Sequence, residues 1–516
     1  MSAPSATAYD TLIVGSGFGG VLCAHALVSA GQRVLMIERG GWLERSGAVD
    51  PLWDFFQLGP AFDTRAPHRV EHDGRTASEG VLSCVGGASI VYGGVSFRLR
   101  AEDFEARPEI VEGSGASWPI GYADLEPFYT RAEGLLNVAG EAGRDPTEPA
   151  RSAPYPRPPG PPAPISVRIA DAARRLGLHP FRIPTALDES CVECTSCDGY
   201  ASAGLGRLLR EPPLASGLEL RTHTAVTRLN AAGGRVTGVE CVDRRDGARS
   251  SIAADRVVVA AGALATPQLL LASGLDRLNP GGRVVGRYLM RHCNAFVYGV
   301  FPGLPEPGRH HKEMAVNDFY RVSGGDGTVR TLGNIQQVMH PQLGGILRRP
   351  ARSLRRAGLA GRTTARALAR GLAPIARRMT GLQVIAEDEP QASNRVEIQT
   401  GPADPDGLPR LRIVHDYTRR DLAARAELIR HARSILREAG ALPWIYEYPV
   451  STFSHAVGTV RMGADPRTSA LDEHCRFRGV EGLFVVDGSF MPTSGGVNPS
   501  LTIAANALRV GEAMAR

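Results

Sequence analysis

The chain begins with a strand, a glycine-rich turn, a helix and a second strand, and this order restricts its possible folds more than any other feature. Residues 9–14 are apolar and β-prone, and they run directly into the sequence Gly15-Ser-Gly-Phe-Gly-Gly. An apolar helical pattern follows, and a second buried strand over 33–37 ends at Glu38. This order predicts a βαβ unit that binds a dinucleotide, because the glycines admit a pyrophosphate and the helix N-terminus presents a positive dipole to it.

Each residue of this unit has a predicted physical role. Gly15 and Gly17 allow the tight turn and the close approach of the backbone to a pyrophosphate, and Gly20 allows the helix to pack against the strand. Glu38 lies where a carboxylate would accept hydrogen bonds from ribose hydroxyls. The complete context therefore predicts a bound adenine dinucleotide.

Another glycine cluster and further predicted strands and helices occur later in the chain. A second glycine cluster, residues 86–94, predicts a ligand with more than one region of contact. Apolar segments bounded by turn residues predict additional strands at 218–221, 226–230, 235–242, 256–260 and 483–486. Helices are predicted at 268–273 and from about 500 to 515. Because strands occur at the start, middle and end of the chain, we expect one sheet assembled from three distant segments.

Length and composition set outer limits on this reading. A chain of 516 residues is too long for one compact core, so we expect about two domains. No apolar run is long enough to span a membrane, and no secretory signal precedes the first strand, which makes the cytoplasm the expected compartment. Eight cysteines in a chain of this size do not indicate a disulfide scaffold.

The net charge of +6 comes from one region of the chain. Residues 327–386 contain eleven arginines and no acidic residue. Since the basicity is local, we do not expect the protein to bind nucleic acid. Lys312 is the only lysine among the 59 basic residues, and we attribute this to codon bias in a high-GC genome.

Three later motifs resemble those of the glucose–methanol–choline (GMC) family of FAD-dependent oxidoreductases. The segment 262–275 is similar to the second signature of that family and departs from it at Asp276, where glycine is usual. The stretch from Phe453 to Pro499 resembles the terminal FAD and active-site block, and 286–292 is similar to the GRxLxxH segment. The second glycine cluster is most similar to that of the cholesterol-oxidase-type branch.

The resemblance implies an α/β protein with two domains. One is a Rossmann-like FAD-binding domain of discontinuous segments, and the other is an α+β substrate-binding or cap domain with an antiparallel sheet. The expected FAD-binding segments are 1–100, 204–295 and 455–516. The expected substrate-binding segments are 101–203 and 296–454, of which the proline-rich stretch 144–164 is read as an extended excursion or linker.

The resemblance also implies which residues contact FAD. Family members with histidine-linked FAD carry that histidine at the position of Val91, so we expect the cofactor to be held non-covalently. Tyr92 stands where Asn or His is common, which puts the hydrogen bonding beside the flavin ring in question. The implied FAD-binding residues are Gly15, Gly17, Phe18, Gly19, Gly20, Glu38, Arg39, Gly86, Gly87, Ser89, Tyr92, Gly93, Val226, Ala261, Gly262, Asp487, Gly488, Asn498, Pro499 and Thr502.

The implied activity is oxidation of an alcohol CH–OH group, with hydride transfer to flavin N5. His455 of the HxxGT motif is the expected base, since the pKa of histidine is close to neutral pH. Asn498 is expected to orient the substrate oxygen, because its amide donates a hydrogen bond without competing as a base. Two alternatives remain open: a flavin-dependent lyase or decarboxylase, and a non-catalytic flavin-binding protein on the same fold.

Substrate and electron acceptor are less constrained. Sugars or glycosides, sterol-like alcohols and simpler alcohols all remain candidates, with a sugar-bearing small molecule preferred. Oxygen or another acceptor would take the electrons. Cys191, Cys194 and Cys197 form CxxCxxC, for which a metal ion or an iron–sulfur cluster is the alternative interpretation. Three thiols without a fourth ligand favour a loop of free or disulfide-linked cysteines, so no metal site is expected.

The arginine-rich region has two interpretations. Leu368, Leu372, Ile375 and Met379 share one helical face, and arginines lie opposite. The favoured interpretation is a lid whose apolar face packs on the active site. The alternative is peripheral contact of residues 348–379 with an anionic membrane surface.

Overall fold

The computed structural model describes residues 9–43, 62–72, 74–111, 113–187, 204–302, 312–323, 327–338, 361–376, 378–447 and 453–516. The α-helices among them are α1 (Phe18–Ser29), α2 (Pro108–Val111), α3 (Tyr122–Leu136), α4 (Pro164–Arg175), α5 (Leu205–Arg210), α6 (Leu214–Gly217), α7 (Gly262–Ala272), α8 (Gly361–Ala376), α9 (Arg419–Glu438) and α10 (Ser500–Ala515).

The strands occur in the order β1 (Thr11–Val14), β2 (Val34–Ile37), β3 (Phe62–His72), β4 (Arg75–Leu82), β5 (Phe181–Arg182), β6 (Leu218–Arg221), β7 (Thr224–Ala232), β8 (Arg235–Asp243), β9 (Arg249–Ala253), β10 (Val257–Val259), β11 (Cys293–Val300), β12 (Met314–Val316), β13 (Arg321–Ser323), β14 (Val329–Thr331), β15 (Gly333–Val338), β16 (Met379–Ala386), β17 (Arg395–Ile398), β18 (Leu411–Val414), β19 (Leu442–Glu447) and β20 (Leu483–Val485).

The central layer of the first unit is a parallel sheet. Its strands lie in the order β20-β10-β1-β2-β6, and each neighbouring pair is parallel. Strands β1, β2 and β10 are buried along their whole length, which is the reason that their sequences are continuously apolar rather than alternating. The expectation of one sheet built from the start, middle and end of the chain is therefore confirmed.

Helices cover this sheet and complete its core. Helices α1 and α10 pack so closely that a Cβ on Gly511 would lie 2.8 Å from the Cβ of Ala26. On the other side of α10, the Tyr129 hydroxyl of α3 lies 2.8 Å from the Thr502 hydroxyl. The terminal helix, which begins just after Pro499, is thus fixed from two sides, and so is the loop that leads into it.

A second, antiparallel sheet forms the substrate-side unit. Its strands lie in the order β19-β11-β16-β15-β12-β5. One face is apolar and packs against α9 and α4. Its other face includes the buried amides of Gln336 and Gln383, which are direct cross-strand partners. The predicted fold class, a Rossmann-like sheet plus an antiparallel sheet, is confirmed.

The remaining strands form smaller sheets: β17-β18-β3-β4, β7-β8-β9 and the β13-β14 hairpin. The boundary expected between residues 295 and 296 falls inside β11, because Cys293 already pairs with Ala386 of β16. We therefore propose that the substrate-side segment begins before β11; the other expected boundaries remain proposals. Among the described helices, none combines the length and apolar character needed to cross a membrane.

Candidate active site

The first glycine loop lies where three parallel strands end together. Gly15 has a φ of +100°, and a Cβ there would lie 2.4 Å from the Ala260 carbonyl oxygen. A Cβ on Gly20 would lie 2.0 Å from the Gly15 carbonyl oxygen, and one on Gly19 would lie 2.6 Å from that of Val486. These glycines are needed because helix α1 begins in contact with the ends of β1, β10 and β20.

The second glycine cluster closes over the first. The Ser16 hydroxyl accepts a hydrogen bond from the Gly86 amide at 2.9 Å, and the Ser89 hydroxyl accepts one from the Phe18 amide at 3.0 Å. The Tyr92 ring meets the Phe18 ring edge to face, with centroids 4.9 Å apart. The predicted contact residues of the two clusters are therefore brought together by direct hydrogen bonds.

Glu38 joins the same loop, as its position after β2 predicts. Its carboxylate accepts hydrogen bonds from the Ser16 hydroxyl at 2.7 Å, the Ser16 amide at 3.2 Å and the Gly40 amide at 2.9 Å. Arg39 follows it, and the Arg39 carbonyl accepts from Arg244 at 3.2 Å. Glu38 therefore orders the glycine loop itself, in addition to the role toward ribose that the sequence predicts.

Asp487 links the two later cofactor segments. Its buried carboxylate accepts hydrogen bonds from the Gly262 amide at 3.0 Å, the Thr266 hydroxyl at 2.5 Å and the Ser489 amide at 2.9 Å. Burial raises the pKa of this carboxyl, and the hydrogen bonds oppose that rise. Ala261 and Gly488 adjoin this pair of segments, so these predicted residues also lie together.

These segments fit a dinucleotide such as FAD. Helix α1 begins after Gly17 without a side-chain cap, and the absence of a Cβ at Gly17 leaves room beside Ser89 and Gly86, whose atoms lie 3.5 and 3.8 Å from where it would be. Backbone N–H groups at such a helix start bind phosphate. Other predicted residues are distributed more widely: Val226 is buried on β7 opposite Cys241, and the Thr502 hydroxyl is bonded to Tyr129.

His455 and Asn498, the predicted catalytic pair, are in contact. Asn498 Nδ2 lies 3.2 Å from His455 Nε2, and Asn498 Oδ1 accepts a hydrogen bond from Gln336 Nε2 at 2.6 Å. Asn498 is buried and His455 is half-buried. The antiparallel sheet therefore orients the asparagine amide, so that its N–H group faces the histidine.

His292, to which the sequence interpretation assigned no role, lies against His455. Its Nδ1 lies 2.9 Å from His455 Nδ1, and its Nε2 lies 2.8 Å from the Gly495 carbonyl oxygen and 3.3 Å from that of Ser494. His292 is buried and has a φ of +61°, which is uncommon for a residue with a side chain. The motif at 286–292 was recognisable from sequence, but its contact with His455 was not.

These contacts assign the protons on both imidazole rings. A carbonyl oxygen can only accept, so His292 Nε2 carries a proton and His292 Nδ1 accepts from His455 Nδ1. His455 Nε2 is then the unprotonated nitrogen, and the Asn498 amide donates to it. The hydrogen bonds therefore form one chain in which each residue donates to the next. The chain runs from Gln336 to Asn498, then to His455 and His292, and it ends at the Gly495 carbonyl.

The loop that carries Asn498 is fixed by groups from the substrate-side unit. The Ser494 hydroxyl donates to Asp388 at 2.9 Å, the Gly495 amide donates to Glu387 at 3.0 Å, and the Gly496 amide donates to the Tyr320 hydroxyl at 2.8 Å. Since Asp388 also accepts from the His292 amide at 3.1 Å, one carboxylate positions both the loop and the histidine behind His455.

The electrostatic surroundings keep His455 neutral. Burial lowers the pKa of His455 well below its usual value, the adjacent His292 and the charge of Lys312 lower it further, and Asp388 acts in the opposite direction. An unprotonated imidazole with its free nitrogen next to an amide donor can accept a proton from an alcohol whose oxygen binds the same amide.

Two expectations fall outside the described residues. Cys191, Cys194 and Cys197 lie there, and so do residues 348–360 of the arginine-rich region. In the part of the chain that the structure describes, no group of His, Cys, Asp and Glu side chains is arranged to hold a metal ion.

Known proteins are similar to this chain along most of its length. Models of the GMC oxidoreductase family match residues 9–294 and 390–507. The chain is 30% identical to paromamine 6'-oxidase of Streptomyces fradiae, with 98% of this chain and 91% of the relative covered. It is 29% identical to 2-methyl-1,2-propanediol dehydrogenase of Mycolicibacterium austroafricanum, with 99% and 96% covered.

A solved structure shows the same fold. The crystal structure of pyridoxine 4-oxidase from Mesorbium loti superposes with a TM-score of 0.65 at 21% identity, over 98% of this chain and 99% of that one. The glycine loops, the acidic residue after β2 and the terminal His–Asn block thus occur in a chain that matches the family along most of its length. The chain belongs to the GMC oxidoreductases and is an FAD-dependent enzyme that oxidises alcohol CH–OH groups.

Proposed function

We propose that His455 is the base of this oxidation and that Asn498 binds the oxygen that loses its proton. The observation that carries the proposal is the contact between His455 Nε2 and Asn498 Nδ2 at 3.2 Å. A substrate hydroxyl that replaces this contact would accept a hydrogen bond from the amide and donate one to the imidazole. The oxygen would then be fixed in the orientation in which its proton faces the unprotonated nitrogen.

His292 completes the site as a positioning residue. When His455 accepts a proton, its ring becomes a cation, and the ring then donates from both nitrogens. His292 Nδ1 continues to accept from His455 Nδ1 in that state, so the ring does not need to turn during the reaction. The Gly495 carbonyl, which accepts from His292 Nε2 at 2.8 Å, keeps His292 in the required tautomer.

The cofactor would be held between the two glycine clusters and the Asp487 segment. FAD supplies the hydride acceptor when it is bound. The protein's part is to bind the dinucleotide through the backbone around Gly17 and Gly86 and to keep the alcohol next to His455. We propose non-covalent binding, because Val91 occupies the position at which the family's linking histidine occurs.

The relatives' names extend the proposal to the substrate and the acceptor. They record oxidation at a 6' position and of a 1,2-propanediol, and we propose a small alcohol with more than one polar group as substrate. One relative is an oxidase and the other a dehydrogenase by name. Electrons would pass to oxygen or to another acceptor, and a comparison of turnover with oxygen and with a quinone analogue decides between them.

The direct test is an anaerobic screen of alcohols and sugars that follows bleaching of the bound flavin. Bleaching by an alcohol in wild type, together with its loss in His455→Ala, would support the assignment. Flavin that binds normally but is bleached equally fast in both proteins would exclude His455 as the base.

Helix α8 supports a second proposal, contact with an anionic membrane surface. Leu368 and Ile375 are each 50% exposed, and Arg370 and Arg378 are exposed as well. Of the apolar face, Leu372 is half-buried and Met379 is buried. The exposed pair, Leu368 and Ile375, is the part that could lie on a membrane surface. The test is co-sedimentation with liposomes. We expect the protein to sediment with anionic but not with neutral liposomes, and salt should reverse the binding. The double substitution Leu368→Asp with Ile375→Asp should weaken it.

A further inference from the structure

Codon usage can account for the scarcity of lysine in this chain, but it does not account for where Lys312 lies. Every other one of the 59 basic residues is an arginine, yet the one lysine lies half-buried just before β12. Its ammonium donates to Gln383 Oε1 at 3.2 Å, and its aliphatic stem passes the second glycine cluster, where a Cβ on Gly93 would lie 3.7 Å from Lys312 Cε. A lysine offers a compact charge on a flexible stem, which the larger planar guanidinium of arginine does not reproduce.

The residues between Lys312 and the catalytic pair form a polar row on the sheet. Gln383 of β16 and Gln336 of β15 are direct cross-strand partners, so their side chains lie on the same face about 5 Å apart. Gln336 Nε2 donates to Asn498 Oδ1, and Asn498 contacts His455. The row therefore runs from the ammonium to the amide that would bind the alcohol oxygen.

One atom of this row points to a ligand. Gln336 is fully buried, and among the described residues its Oε1 has no hydrogen-bond partner. A buried carbonyl oxygen without a donor is costly, so such atoms in native proteins are usually satisfied by a ligand or by water. Lys312 is also among the groups that lower the pKa of His455.

We propose that Lys312, Gln336 and Gln383 form a subsite for a second oxygen of the substrate, next to the carbinol that is oxidised, and that this subsite selects neutral or anionic polyols over amino alcohols. The inference rests on the proposed function of His455 and Asn498. A hydroxyl would donate to Gln336 Oε1 and accept from the ammonium. A carboxylate would accept from the ammonium but would leave Gln336 Oε1 without a donor, so a hydroxyl satisfies the subsite more completely. An amine in the same place would be protonated and would be repelled by Lys312.

The test uses three probes of the same skeleton: glycerol, glycerate and 3-amino-1,2-propanediol. Each is measured as a competitive inhibitor against the alcohol that bleaches the flavin fastest in wild type. We expect glycerol and glycerate to bind at least about tenfold more tightly than the amino alcohol, and Lys312→Met to remove most of this difference. Arg174→Met, which removes an exposed charge on α4, is the matched control and should leave the order unchanged.

A second measurement uses the wild-type protein and therefore does not require a variant to fold. Because the chain has one lysine, acetylation by an amine-reactive ester modifies Lys312 and the α-amino group alone, and mass spectrometry separates the two. Glycerate should slow acetylation of Lys312 without affecting the α-amino group. Equal affinity for the three probes in wild type, or an unchanged order in Lys312→Met, would overturn the inference while leaving alcohol oxidation intact. A wild type that no alcohol reduces would overturn the proposed function, and this inference with it.

Discussion

His292 Nδ1 lies 2.9 Å from His455 Nδ1, and this contact leaves Nε2 as the nitrogen through which His455 would act as the proposed base. The two residues are 163 positions apart in the sequence. The carbonyl of Gly495 accepts from the opposite nitrogen of His292, so the tautomer of both rings follows from backbone geometry. The proposed chemistry therefore depends on His292, a residue that would not touch the alcohol.

Replacing His455 should abolish most of the activity without removing the cofactor. His455→Ala leaves Asn498 to bind the alcohol oxygen but removes the proton acceptor, and general-base contributions are typically 100-fold or more. We expect flavin reduction to slow at least about 100-fold, measured by anaerobic stopped-flow. An unchanged visible flavin spectrum is the control for cofactor binding.

Replacing His292 should affect the orientation of the base and its pH dependence. The φ of +61° at this position is tolerated by asparagine better than by leucine. His292→Asn can keep both the backbone conformation and an acceptor for His455 Nδ1, whereas His292→Leu keeps neither. We expect kcat to fall about tenfold or more in the leucine variant and less in the asparagine variant. A purely structural role would instead lower thermal stability and leave the shape of the pH profile unchanged.

Activity should persist on the acid side of neutrality. The base must be unprotonated, and the pKa of His455 is well below its usual value of 6.5, so kcat/KM should decline only as the pH falls through that lowered pKa. The stability of the fold should also decrease on the acid side. As the pH falls below about 6.5, His455 binds a proton in the unfolded state before it does so in the folded state, so the free energy of unfolding decreases.

The same pKa gives a prediction for Lys312. Its charge is one of the causes that lower the pKa of His455, so Lys312→Met should move the acid limb of the kcat/KM profile to higher pH. Lys312→Arg retains the charge and should leave the limb close to that of wild type. A profile that is identical in all three proteins would show that the charge of Lys312 does not reach the base.

The glycine loop should not accept even a methyl group at Gly20. The φ of Gly20 is ordinary, but a Cβ there would lie 2.0 Å from the Gly15 carbonyl oxygen, where the neighbouring atom is backbone and cannot move aside. We expect Gly20→Ala to lose bound FAD or to fail to fold, measured by the ratio of flavin to protein absorbance. Gly134→Ala on α3, where a Cβ meets nothing within 4 Å, is the control and should be stabilising by ~0.5–1 kcal/mol.

Much of the fold could be predicted because its signals are local. Strand β6 and helix α10 occur over the predicted residues 218–221 and 500–515, since the alternating leucines of β6 and the apolar face of α10 are encoded within a few residues of sequence. The lid interpretation of the arginine-rich region stays a prediction. Periodicity shows that α8 is amphipathic, but whether Leu368 and Ile375 meet another surface depends on elements distant in the chain, and the structure leaves both exposed.

The sequence by itself determined the glycine loops, the acid after β2 and the two residues, His455 and Asn498, that carry the proposed chemistry, because each belongs to a short motif whose spacing has a physical reason. Only the tertiary structure decided that His292 supports His455 and that Gln336 supports Asn498. Hydrogen bonds act over about 3 Å and are insensitive to separation along the chain. The partners of a buried polar group are therefore set by how strands and loops pack, and no local pattern records them.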